Sequence, residues 1–187
     1  MFEEIKKVLK RTLSPARFRH SLAVAELAAE LGKKHGWLPT EAYRAGLVHD
    51  CAKEWPPKNL IEYARKNKLK IPNITFMTRH APNLLHAYVG AHFARQKKWI
   101  TNEKSRQAIS SHTLGRIRMS AADQILYIAD FSSKDRKFNS AASVRILASQ
   151  NLREGFLLAL TKKMEFNLLT HKPIHPLALR VWNQEVS

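Results

Sequence analysis

An all-α fold is predicted by three features of this 187-residue sequence. Apolar residues recur at helical spacing in one segment after another, no stretch alternates apolar and polar residues between hairpin turns, and Pro, Ser, Asn and Gly stand where helices start and stop. The length suits one domain, at about 100–200 residues per domain, and 44% hydrophobic residues can fill a core of that size. The expectation is a single domain over 1–187, a compact bundle of about nine or ten helices.

Residues 2–12 fit a short amphipathic helix, after which Ser14-Pro15 supplies an N-cap and a proline at the first helical position. His20, Val24, Leu27 and Leu31 then recur at offsets of four, three and four, which places His20 on the buried stripe of a helix running to about Lys34 and closed by Gly36. Thr40-Glu41 opens the next helix, with His49-Asp50 at its C-terminal end. Pro56-Pro57 breaks the chain before a helix over 58–68, and residues 69–81, holding Pro72 and Asn73 without a clear period, read as a long loop bordering a site. Pro82 starts a helix to about Trp99, with His86, Val89 and Phe93 on one face and His92 off it. Asn102-Glu103 caps a helix ending at Ser111-His112-Thr113-Leu114-Gly115, and Ser120 caps one running through Ala129-Asp130. Two more helices span about 140–150 and 151–171, and His175-Pro176 starts the last.

The formal charge is +17, from 32 basic and 15 acidic residues. Such a surface attracts anions, whether nucleotides, polyphosphate or nucleic acid. Its basic pairs, Lys6-Lys7, Lys33-Lys34, Arg65-Lys66, Lys97-Lys98 and Lys162-Lys163, are nevertheless spread along the chain, which fits solvated faces better than one functional stripe. Cys51 is the one cysteine, so no intrachain disulfide and no Cys-rich zinc site can form. Apolar stretches fall well short of the about 20 residues of a membrane span. Met1 to Lys7 begins an amphipathic helix rather than a signal peptide, so a cytoplasmic protein with no membrane partner is expected.

Within Ala45-Gly46-Leu47-Val48-His49-Asp50-Cys51-Ala52-Lys53-Glu54 an apolar helical run ends in an imidazole and a carboxylate, both metal ligands. His20, His86 and His112 lie at the inner faces or ends of three other helices, and Asp130 follows the apolar run Ile125-Leu126-Tyr127-Ile128-Ala129. A lone histidine on an apolar face is more often a core residue bonded to a backbone carbonyl, but a buried carboxylate with no partner is costly. Basic groups stand nearby: Lys53 one turn beyond His49, Arg116 after His112-Thr113, and Arg136 six residues after Asp130. Arginine forks suit phosphate oxygens and Thr113 adds a hydroxyl, while Glu54 and Asp135 offer Lys53 and Arg136 a purely structural pairing.

Taken in order, Arg17-x-x-His20, His49-Asp50-x-Ala52-Lys53, Leu84-Leu85-His86, His112-Thr113-x-Gly115-Arg116 and Ala129-Asp130 resemble the HD-domain metal-dependent phosphohydrolases. Within them they are most similar to the symmetrical diadenosine tetraphosphate hydrolases, over an HD core of about 15–155 with C-terminal helices at about 151–187. The resemblance implies two divalent metal ions, iron first, with manganese, cobalt, nickel, zinc or magnesium as substitutes. His20, His49, Asp50 and Asp130 would hold one ion, His86 and His112 the other, with Asp50 bridging. It implies water attack on phosphorus, a dinucleoside polyphosphate substrate, an ADP product, and Lys53, Thr113, Arg116 and Arg136 on the phosphates. A homodimer is compatible with it. The alternatives are another HD phosphohydrolase, acting on a mononucleotide, nucleoside triphosphate or cyclic nucleotide, and a non-catalytic basic module on nucleic acid or the ribosome. The chain departs from the branch at Cys51, Leu114, Ile117 and Ser132-Ser133-Lys134, the last three expected beside the nucleotide.

Overall fold

The computed structural model describes residues 2–187, which form helices and no strands. In chain order these are α1 (Phe2–Thr12), α2 (Pro15–His35), α3 (Pro39–Val48), α4 (Pro57–Lys66), α5 (Ile74–His80), α6 (Leu85–Gln96), α7 (Glu103–Ser111), α8 (Ala121–Ser132), α9 (Asn139–Gln150), α10 (Leu152–Leu169) and α11 (Pro176–Val186), with a 3-10 turn at Pro82–Leu84. No helix of the described residues is long and apolar enough to cross a membrane.

The bundle is built around α8, which packs on α2, α3, α7, α9 and α10. Ile125 to Ala129 are all buried, so this helix is apolar around most of its circumference, as a central helix must be. Its start is fixed by a capping box, in which Ser120 Oγ accepts from Asp123 N and the Asp123 carboxylate accepts from Ser120 N. The α2–α3 pair has the most extensive contact, and a glycine permits it: a Cβ on Gly46 would lie 2.6 Å from Ala25 Cα. That close approach sets His20 on α2 beside the turn that follows α3.

The caps read from the sequence form at Ser14, Gly36, Asn102, Ser120 and His175. Three boundaries differ. Helix α3 begins at Pro39 rather than Thr40, because a proline fits the first helical position and needs no side-chain cap. The segment read as a loop over 69–81 contains α5, seven residues anchored by the buried Met77 and too short to show a period. Pro82 opens a 3-10 turn before α6, which stops at Gln96, with Lys98 at positive φ turning the chain ahead of Trp99. Helix α5 brings the number of α-helices among the described residues to eleven, against the nine or ten expected.

Candidate metal centre

Five chain segments bring their polar side chains to one buried point. His20 comes from α2, His49 and Asp50 from the turn after α3, His86 from the first turn of α6, His112 from the end of α7, and Asp130 from α8. All six are buried, His49 and His86 completely. The ligand atoms of His20, His49 and Asp50 lie within 4.8 Å of one another, and so do those of Asp50, His86 and His112. Asp50 belongs to both groups. Its Oδ2 lies 3.4 Å from His49 Nε2, and its Oδ1 lies 3.1 Å from His86 Nε2 and 3.6 Å from His112 Nε2. Asp130 Oδ1 adjoins the first group, 3.1 Å from His20 Nε2 and 3.8 Å from His49 Nε2.

The tautomers are fixed from behind. His49 Nδ1–H donates to the Gly46 carbonyl at 2.7 Å, His112 Nδ1–H to Ile109 at 2.6 Å, and His86 Nδ1–H to Asn83. His20 Nδ1–H donates to the Asp135 carboxylate at 2.9 Å. A neutral imidazole whose Nδ1 carries the proton has only a lone pair on Nε2, and all four Nε2 atoms face the cluster. His86 and His112 meet Nε2 to Nε2 at 3.2 Å, two lone pairs with no proton between them. His49 Nε2 and Asp50 Oδ1 are buried without a hydrogen-bond partner. Arg17 and Arg136 each satisfy one carboxylate oxygen, but the imidazole nitrogens and Asp50 Oδ1 still converge with too few donors, which calls for cations, and imidazole nitrogen with carboxylate oxygen suits divalent transition metals.

The electrostatics agree. Burial alone would raise Asp50 and Asp130, yet the neighbouring imidazoles hold both well below the usual carboxylate range. Burial pushes His112 down to about 4 and lowers His86, keeping both neutral at physiological pH. Burial works against charge on His49 too, but Asp50 and Asp130 outweigh it and push that imidazole up to about 10, so without metal His49 carries a proton on Nε2 that a bound cation would displace. The His49 corner therefore draws positive charge, and the His86–His112 corner remains uncharged.

A cavity of about 550 Å³ opens on the cluster and is lined by Arg17, Lys53, Thr113, Arg136 and Lys163 as well as Asp50 and Asp130. Lys53 Nζ lies 3.4 Å from His86 Nε2, and Glu54 is taken instead by Ser14, whose N–H and hydroxyl both donate to it. Arg136 donates to Asp130 Oδ1 at 3.0 Å and to the Asp130 carbonyl at 3.1 Å, leaving Asp135 to His20. Thr113 Oγ1 is buried without a partner.

Arg116 is not brought to the cluster. Its guanidinium holds the buried Asp123 at 2.7 and 2.9 Å and lines a separate cavity with Ile117. The Asp123 carboxylate, fully buried in the capping box of α8, captures the fork seven residues away. Ser132 and Ser133 are fully buried and Lys134 pairs with Glu30, so this segment lies away from the cavity where a nucleotide contact was expected. Leu114 does line it.

Three neighbours to which the sequence reading assigns no place at the site stand beside the cluster. Arg17 donates to Asp50 Oδ2 at 2.8 Å, and its position one turn before His20 on the same helix face was the available signal. Asp135 was read only as a pairing for Arg136. Lys163, read with Lys162 as solvated, turns inward over the Tyr127 ring at 4.2 Å, donates to the Thr113 carbonyl, and lies 3.9 Å from Asp130 Oδ2. Burial brings it down to about 8.

Comparison with known proteins agrees with this architecture. The HD domain family model matches residues 17–134. The chain is 33% identical to the symmetrical bis(5'-nucleosyl)-tetraphosphatase of Halalkalibacterium halodurans over 178 residues, covering 95% of this chain and 93% of that one. It is 28% identical to the protein of the same name from Bacillus subtilis over 185 residues, covering 99% and 97%. It superposes with a TM-score of 0.92, at 28% identity, on a crystal structure titled as an HD superfamily hydrolase involved in NAD metabolism from Clostridium acetobutylicum, covering 100% and 97%. With a family match over 118 of its 187 residues (17 to 134 inclusive) and a buried His-Asp cluster built from the motifs of that family, the chain belongs to the HD domain family.

Proposed function

We propose that this protein hydrolyses diadenosine tetraphosphate symmetrically to two molecules of ADP, using two divalent metal ions, iron in the cell, that share Asp50. The observation carrying this reading is the convergence of four histidine Nε2 atoms on Asp50 and Asp130 beside a cavity rimmed with cations. The near full-length relatives named for the same activity support the choice of substrate. His20, His49, Asp50 and Asp130 would hold one ion, and His86 and His112, with Asp50, would hold the second. When bound, such a pair lowers the pKa of a water and offsets the charge that builds up at phosphorus in an in-line displacement.

The protein's own groups do the rest. The overall charge of +17 draws a polyanion toward the cavity. Lys53, Arg136 and Lys163, set around the cluster, bind the non-bridging phosphate oxygens and keep the scissile phosphorus facing it. The Thr113 hydroxyl, buried without a partner, donates to the same chain of phosphates. Among the described residues the cluster itself is made of histidines and aspartates, and water is the attacking group. Arg17 holds Asp50 from the cavity side and Asp135 holds His20 from behind, so both orient ligands. The compartment we propose is the cytoplasm.

Chromatography of the products from diadenosine tetraphosphate tests this reading. The metal-loaded protein is expected to give ADP alone, with one oxygen-18 incorporated per turnover in labelled water. ATP with AMP as the main products, or no turnover with each of several divalent metals, would overturn it.

A further inference from the structure

A second cavity, of about 540 Å³, meets the first at the cluster, and Asp130, Arg136, Lys163 and Phe166 line both. Beyond that junction its walls are mainly Phe131, Phe138, Phe166 and Leu169, with Ser140 and the Lys162–Glu165 ion pair also lining it. Phe131 and Phe138 pack edge to face with centroids 5.0 Å apart. Phe138 and Phe166 remain 43% and 54% exposed and Leu169 80%, so this aromatic surface faces solvent directly beside a phosphate-binding rim. Its volume falls within the range of about 300–1,000 Å³ typical of small-molecule sites.

The placement selects the occupant. A symmetrical cleaver must hold the middle of the polyphosphate at the cluster, and a nucleoside then leaves the cluster in each direction. Two cavities that share Asp130 and Arg136 provide for both. We infer that the trough of Phe131, Phe138, Phe166 and Leu169 is the subsite for the second nucleoside, its base stacked on the exposed phenyl rings and its phosphate on Arg136 and Lys163. This rests on the proposed tetraphosphate hydrolysis and adds where substrate preference comes from: the trough rewards a nucleoside at the far end of the phosphate chain, which mononucleotides lack. Stacking of one base on aromatic side chains corresponds to roughly a tenfold to hundredfold effect.

The test compares diadenosine tetraphosphate with adenosine 5'-tetraphosphate, which offers the same phosphates and one nucleoside. Two variants address the trough without touching the six-residue cluster. Phe138→Ala removes an exposed ring, and Ser140→Trp fills the trough from the first turn of α9. The wild-type protein is expected to prefer the dinucleotide by about tenfold or more in kcat/KM. Each variant should lose about tenfold on the dinucleotide, mainly through KM, and stay within about twofold on adenosine tetraphosphate. Affinity of the metal-loaded protein for a methylene-bridged, uncleavable dinucleotide should fall in parallel. Equal losses on both substrates, no loss on either, or a wild-type protein indifferent to the second nucleoside would overturn the subsite while leaving symmetrical hydrolysis in place. Failure of the wild-type protein to cleave diadenosine tetraphosphate would remove both.

Discussion

His86 and His112 face each other through Nε2 atoms 3.2 Å apart, while each Nδ1 is committed to the backbone carbonyl three residues before it. Neither ring can donate to the other without giving up its carbonyl. The pair is a repulsive contact for the protein alone and an attractive one around a cation. Replacing either ring by Ala should therefore weaken metal binding far more than it lowers thermal stability of the metal-free protein. Melting curves with and without metal check this. A variant that melts much lower metal-free but takes up metal normally would contradict it.

The phosphate rim separates the two arginines. Arg136, at the junction of both cavities, is expected to lose about tenfold to a thousandfold in kcat/KM as Arg136→Lys, roughly 1.4–4 kcal/mol, with metal content unchanged. Arg116→Lys should leave kcat/KM within about twofold and lower stability by about 1 kcal/mol, because its fork holds the capping-box carboxylate of α8. Steady-state kinetics beside denaturant melts separate the two. Equal kinetic losses would place Arg116 at the phosphates after all.

Gly46 links the fold to the cluster. A Cβ there would stand 2.6 and 2.9 Å from the Ala25 backbone, and its carbonyl is the acceptor for His49 Nδ1–H. Gly46→Ala must push α3 from α2, at a cost of about 1–3 kcal/mol, and should displace His49 relative to His20. A lower Tm together with weaker metal affinity is the expected result. A variant with wild-type Tm would show that the interface can give without strain.

At the C-terminal end, His175 Nδ1 accepts from Leu177 N–H and caps α11. Burial lowers its pKa below the ordinary histidine value of 6.5. The unfolded chain therefore takes up this proton at higher pH than the folded one. The capped form's stability is fully present above 6.5 and is lost as pH falls through the lowered folded value. His175→Asn keeps a side-chain acceptor at the cap that does not titrate, so its stability should fall less than wild type between pH 6.5 and 5. Parallel pH profiles of the two proteins would contradict the assignment.

What could be read in the chain divides along a physical line. Helix caps and buried stripes are local and chemically marked, so Ser14, Gly36, Asn102 and Ser120 stand where the sequence puts them. His20, His49-Asp50, His86, His112 and Asp130 are legible for the same reason, as polar residues on faces that are otherwise apolar. Long flexible cations are different, because neither spacing nor neighbours fix where their heads go. Lys163 turns into the cavity although its partner Lys162 pairs with Glu165 at the surface, and Arg116 folds back on Asp123 across the turn before α8 instead of reaching the cluster. The seven-residue α5 was lost because two turns carry too little periodicity to distinguish a helix from a loop.

Asp50 turns its two oxygens toward different histidines, and we propose that two adjacent cation sites share it. Elemental analysis of the metal-loaded protein tests it most directly. The wild-type chain is expected to hold close to two equivalents of transition metal, and Asp50→Ala no more than one, with turnover of diadenosine tetraphosphate abolished. An Asp50→Ala protein that folds, retains both equivalents and turns over normally would contradict it.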